Sequence, residues 1–215
     1  MQRIGIYPNI SADEYHGVEA ISNSYLSRLR RIPAEAKLPQ EDTAAFLFGR
    51  AFHCLLLEGK DEFDTVFAVV PEVDKRTTAG KAEWLEFSTK NAGKGLIPKD
   101  DYDGMVDMVN AVMMHPFAAK VLLQGRSEQS VFWIDKRTGL YCKCRPDRIP
   151  AGEHGVILDV KTTRDATKNG FRKAIEQYRY HAQAAFYLDG FNAVSGTKVD
   201  AFVFIAVEKE PPYVV

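Results

Sequence analysis

Residues 141–163, YCKCRPDRIPAGEHGVILDVKTT, constrain this chain more than any other stretch. They read as two β-strands joined by a short turn at 151–155. Side chains alternate faces along a strand, so Asp159 and Lys161 share one face while Val156, Leu158 and Val160 take the other, core-directed one. A hairpin centred on Glu153 sets Asp147, on the first strand, opposite Asp159, and Arg145 opposite Lys161. Opposed residues have Cβ atoms roughly 4.5–5.5 Å apart. Two carboxylates at that distance repel each other unless positive charge lies between them, and a divalent cation is the natural compensation. Arg145 opposite Lys161 is equally unfavourable unless an anion or the carboxylates intervene.

The pattern is P-D followed by D-V-K. Two carboxylates beside a lysine suit Mg²⁺-assisted hydrolysis of a phosphodiester. The ion withdraws charge from the phosphate and lowers the pKa of a bound water. Lys161 positions or deprotonates that water, or steadies the charge developing on phosphorus oxygens. The alternative is a surface hairpin with ordinary charges, but the strand 156–160 is too apolar for a surface. His53 lies in an apolar helix, 43–58, closed by Gly59. It is either a satisfied core residue or a metal ligand, and the second role requires the helix to pack over the hairpin. Gly49, one turn earlier, would allow another backbone to approach closely.

A single helix is expected from 168 to 193. It places Gln183 and Tyr187 on one face with Glu176, Arg179 and Tyr180. Phe171, Ala174, Ile175, Tyr178, Ala182 and Ala185 form the opposite, apolar side. The polar face is either solvated or functional. In the functional reading Gln183 hydrogen-bonds a ligand or a strand and Tyr187 touches DNA.

With 215 residues and a net charge of −1, the chain is no basic nucleic-acid coat, although a local basic channel is compatible with that balance. Basic residues cluster at 28–31, 75–76, 143–148 and 168–173. With Ser22 and Ser24 as hydroxyl donors, Arg30, Arg76 and Arg145 are candidate phosphate contacts. The N-terminus lacks the apolar core of a signal peptide, and no run approaches the roughly 18–20 apolar residues of a membrane span, so a cytoplasmic location is expected. The three cysteines, Cys54, Cys142 and Cys144, read as reduced, buried small hydrophobes rather than a metal site.

Residues 1–20 read as irregular. Ser22-Asn23-Ser24 caps a helix, Pro33 opens a helical turn, and 63–70 reads as extended. Helices follow over 79–91, after Pro98 and after Pro116; Met105, Met108, Val109 and Val112 make a core stripe on the second of them. Three β-rich runs, 127–135, 140–149 and 156–162, precede the long helix and a last strand at 201–207. The expectation is one α/β domain, with a mainly helical part over 1–125 and a β-β-β-α-β core over 126–209.

The blocks GRAFHCLLLE, RTTAGK, YCKCRPD, LDVKTT and YRYHAQAAFY closely resemble, in order and spacing, the nuclease domain of the RecE-type exonucleases of prophages (exodeoxyribonuclease VIII), within the PD-(D/E)XK superfamily. The resemblance runs from about residue 21 to 207, and HAQAAFY holds the Q-x-x-x-Y pattern of RecB-like nucleases. It implies a restriction-endonuclease-like core, a mixed central sheet flanked by helices. It implies a metal site of His53, Asp147, Asp159 and the Val160 carbonyl, holding Mg²⁺ or, in its place, Mn²⁺. Lys161 would be the catalytic lysine, with Gln183 and Tyr187 as the Q-x-x-x-Y pair. The implied activity is 5′ to 3′ digestion of linear double-stranded DNA ends, leaving 3′ overhangs for recombination. The implied assembly is a homo-oligomeric ring working beside a single-strand annealing protein, away from membranes. An endonuclease or single-strand nuclease on the same core, or a DNA-binding adaptor without turnover, are the competing readings. Such relatives continue past the last strand into a further helical segment; here the sequence runs to Pro211-Pro212-Tyr213-Val214-Val215.

Overall fold

The structure, a computed structural model, describes residues 2–36, 38, 43–149 and 155–215. The first half comprises β1 (Gly5–Tyr7), α1 (Ala12–Gly17), α2 (Asn23–Arg31), a 3-10 turn at Pro33–Glu35, α3 (Ala44–Leu57), α4 (Lys60–Val66), β2 (Phe67–Val69), α5 (Thr78–Lys90), β3 (Gly95–Ile97), α6 (Lys99–Met114) and α7 (Pro116–Leu122). The second half comprises β4 (Arg126–Ser127), β5 (Ser130–Ile134), β6 (Tyr141–Cys144), β7 (Arg148–Ile149), β8 (Ile157–Thr163), α8 (Lys168–Tyr178), α9 (Tyr180–Val194) and β9 (Phe202–Glu208). Hydroxyl caps start several helices: Ser22, Thr43, Thr77 and Thr167 accept N–H groups at the heads of α2, α3, α5 and α8. Each such cap contributes about 1 kcal/mol.

The strands form three sheets, ordered β1-β5-β6, β2-β3 and β4-β7-β8-β9. β8 and β9 are parallel, as the intervening helical crossover requires. The expected strand over 140–149 is instead two strands in two sheets. β4 and β5 face β7 and β6 in one unbroken register, with Val131 opposite Cys144 and Ser127 opposite Arg148. The ladder lapses between them because Glu128 is left-handed, at φ 50°, and Pro146 has no N–H to give. Asp147 therefore sits on the bend just before β7, not on a strand. Arg148 pairs with Leu158, and one step further in that register sets Asp147 level with Asp159, as the hairpin reading requires. The turn itself, with Glu153, lies outside the described residues except for Gly155.

β8 and β9 are sandwiched. Leu158, Val160, Ile205 and Val207 face α3, α6 and α7, where they are buried with Phe52, Leu57, Met105, Met108, Val112 and Leu122. Each such side chain contributes about 1.5–3 kcal/mol. The opposite face turns to α8 and α9, with Phe204 against Phe171 and Tyr180, and Phe202 against Tyr187. The methionine stripe and all three free cysteines are buried as expected.

The long helix breaks. Arg179 adopts φ 57°, ψ 42°, ending α8 and starting α9. A left-handed non-glycine residue costs roughly 1–2 kcal/mol. The break rotates the second half, so the apolar stripe drawn through both halves fails: Tyr178 is 58% exposed and Gln183 7%. α9 lies close against β5 because Gly190 has no Cβ, which would come 2.6 Å from the Trp133 ring. Two smaller expectations also change. The first half of 63–70 is the end of α4, with only Phe67–Val69 extended, and the N-terminal segment contains β1 and α1. Among the described residues no helix is long and apolar enough to cross a membrane.

Candidate active site

The site forms where β7 leaves β8. Among the described residues their ladder has one rung, so the edge of β8 beyond Leu158 lacks a strand partner on that side. The Asp147 side chain takes the vacant place: its Oδ2 accepts the Val160 N–H at 2.6 Å. In an extended strand one residue's N–H and C=O leave on the same side, so the Val160 carbonyl also turns to this edge. α3 packs over the segment and brings His53 Nδ1 to 3.5 Å from Asp147 Oδ1. The condition set for His53 as a ligand is thus met in position. Gly49 contributes nothing to it, because a Cβ there would meet nothing within 4 Å.

Asp159 and Lys161 share a face of β8 and form an ion pair. Asp159 Oδ1 accepts from Gln183 Nε2 at 2.6 Å. Gln183 therefore bonds a strand carboxylate, one of the two partners expected for it. Asp159 Oδ2 faces the Lys161 ammonium in this buried ion pair and has no other partner. The ammonium lies 4.9 Å from the Tyr180 ring centroid.

The charges hold one another in place. Burial pulls His53 down, but the charge and hydrogen bond of Asp147, with the charge of Asp159, more than reverse this and lift it to about 9. Burial would raise Asp147, yet His53, Lys161 and the Val160 N–H hold it below the usual carboxylate range. Asp159 is pushed up to about 6 by burial and by Asp147, against Lys161. Lys161 is disfavoured by burial but kept charged by Asp159 and Asp147.

These donors fit a hard divalent cation. Two carboxylates, a backbone carbonyl and an imidazole suit Mg²⁺ or Mn²⁺, and Asp159 Oδ2, met only by the Lys161 ammonium, has lone pairs left for such an ion. As arranged, no three His, Cys, Asp or Glu side chains among the described residues converge on one ion-sized point. His53 and Lys161 instead neutralise the carboxylates.

Sequence reasoning missed Glu128. It is level with Asp147 in the first hairpin, and its N–H donates to the Asp147 carbonyl at 3.3 Å. Burial first, then the Asp147 charge, push it up to about 8. The signal was available: a hairpin turning at 136–139 sets residue 128 level with residue 147.

Of the other candidates, Ser22 is spent as the α2 cap and hydrogen-bonded to Ser24. Both line a groove of about 1070 Å³ with Arg28 and Arg50. Arg50 stands three residues before His53 on α3, so this groove lies beside the carboxylates rather than over them. Arg30 projects into a different groove, and Arg76 is exposed before α5. Arg145 does not face Lys161. It turns inward, its guanidinium bonding Ser130 Oγ at 2.8 and 3.1 Å and the Ile10 carbonyl at 2.8 Å, and lying over the Tyr15 ring. Lys143 likewise donates to the Tyr15 and Val18 carbonyls at the end of α1. Both act as clasps for the N-terminal segment. Tyr187 packs beside Val131, Trp133, Cys142 and Cys144, in the interior rather than on a DNA-facing surface.

No curated protein matches the chain. A crystal structure from Eubacterium rectale, provisionally described as an exonuclease, superposes with a TM-score of 0.63 at 14% identity, covering 96% of this chain and 76% of that one. At that identity the match speaks for the fold, a mixed sheet flanked by helices. Residues 24–215 match the family described as a PDDEXK-like domain of unknown function (DUF3799). This protein therefore belongs to that PDDEXK-like family, within the PD-(D/E)XK nuclease superfamily.

Proposed function

We propose that this protein is a divalent-cation-dependent exodeoxyribonuclease. It digests linear duplex DNA from 5′ ends, leaves 3′ overhangs for recombination, and acts in the cytoplasm as a homo-oligomeric ring beside a single-strand annealing protein. The observation that carries the hydrolase reading is the pair of buried carboxylates, Asp147 and Asp159, with the Lys161 ammonium against Asp159 Oδ2. Polarity, ring and partner rest on the RecE-like sequence blocks.

His53, Asp147, Asp159 and the Val160 carbonyl would hold Mg²⁺, with Mn²⁺ as substitute. A bound ion polarises the scissile phosphate and acidifies a water. Gln183 fixes Asp159 through Oδ1, leaving Oδ2 to the site. The Val160 N–H fixes Asp147 in the same way. His53 gives up its proton to act as a ligand. Lys161, held cationic despite burial, sets positive charge beside the phosphate oxygens, where negative charge develops.

The test is a time course on end-labelled linear duplex and on a closed circle, with Mg²⁺, with and without a 5′ phosphate. Wild-type protein should shorten the linear strand from its 5′ end and spare the circle, and Lys161→Ala should be inert while still giving the circular dichroism spectrum of the folded protein. A cut circle would mean an endonuclease, and an active Lys161→Ala would sink the assignment.

A further inference from the structure

A groove of about 500 Å³ runs between α2 and the α8–α9 junction. Ser27, Arg30 and Arg31 line it from α2, and Gln177, Tyr178 and Arg179 from the junction. None of the described lining residues is acidic, and Arg30 and Arg179 favour an anion there. Tyr178 stands on its wall and is more than half exposed. That ring stacks on Tyr180, with centroids 5.6 Å apart and planes 26° from parallel. Tyr180 is the ring over which Lys161 lies, and Phe171 and Phe204 hold it from the other sides. Residues two apart in an unbroken α-helix project about 160° from each other and cannot stack. The left-handed Arg179 lifts that restriction. One strained residue thus creates a continuous stack from the candidate catalytic lysine to an arginine-lined groove.

We propose that this junction is a subsite for an unpaired DNA strand, with one base stacked on Tyr178 and the adjoining phosphates held by Arg30 and Arg179. Every base offers a π-face, and an aromatic platform beside a basic groove recognises single strands without regard to sequence. Paired bases are already stacked on one another and offer Tyr178 nothing. The inference deepens the nuclease reading and takes from it only that the ligand is DNA.

Binding of a short fluorescent oligothymidylate, measured by anisotropy with a chelator present, tests the subsite without hydrolysis. Tyr178→Ala should weaken binding about tenfold, equivalent to about 1.4 kcal/mol, and Tyr178→Phe should bind as wild type. Arg30→Ala should reduce the log–log salt slope by about 0.7. Affinity for a blunt duplex should not change in Tyr178→Ala. The exposed position of Tyr178 means the variant should unfold at the wild-type temperature. Unchanged oligothymidylate binding by Tyr178→Ala, or an equal loss on oligothymidylate and duplex, overturns the proposal. A protein that binds through Tyr178 yet cuts no DNA would remove the nuclease reading alone. One that cuts DNA but binds independently of Tyr178 would remove the subsite alone.

Discussion

Replacing Asp147 with Asn leaves an oxygen to accept the Val160 N–H but removes a negative charge. In the native site His53 stands at about 9 against its ordinary 6.5. That rise corresponds to at most about 3 kcal/mol; it is an upper limit because 27% of the His53 side chain is exposed and water screens the pair. Asp147 supplies the largest upward contribution, so in Asp147→Asn burial regains control and His53 should fall to 6.5 or below. The sign follows from linkage. A histidine raised on folding stabilises the protein fully below its unfolded pKa, and the contribution fades as pH rises through the folded one. Asp147→Asn should therefore cost more stability near pH about 6 than near pH about 10. The depressed pKa of Asp147 describes the same pair and adds nothing further. The assay is an NMR titration of chelator-treated protein, with the His53 signal among five histidines assigned from His53→Gln. Denaturant melts at both pH values accompany it. A His53 that still titrates near 9 in Asp147→Asn, or an equal stability loss at both pH values, would refute the reasoning.

Two other substitutions follow from packing and charge. Gly190→Ala drives a methyl into the buried Trp133 ring and should cost about 1–3 kcal/mol, seen as a lower unfolding temperature with altered tryptophan fluorescence. Glu128 is raised on folding, so its contribution becomes unfavourable as pH climbs from its ordinary value towards about 8; Glu128→Gln should raise the unfolding temperature at pH about 9 and change it little at pH about 4, as calorimetry would show.

Much of the site was legible because its signals are local. The strand period alone put Asp159 and Lys161 on one face, and a centre at Glu153 gave the register that Arg148 and Leu158 adopt. A capping hydroxyl at Ser22 marked the start of α2. The failures were of two kinds. Pro146 announced a strand end that a β-rich run of ten residues obscured, whereas Arg179 announced nothing, since neither Gly nor Pro marks the break and both flanks favour helix. Arg145 and Lys143 could not be read as clasps, because their partners at Ile10, Tyr15 and Val18 are more than a hundred residues away in sequence.

The single rung between β7 and β8 has a consequence outside chemistry. A strand edge with unpaired amides is a template on which another chain can add a strand. Along β8 the amide of Val160 is such a group, but it is fully buried and bonded to a carboxylate, so no second chain reaches it. Asp147 stands in for the missing strand as well as being a candidate ligand. Deleting its side chain to silence the site also leaves a buried N–H without a partner, at a cost of about 1–3 kcal/mol.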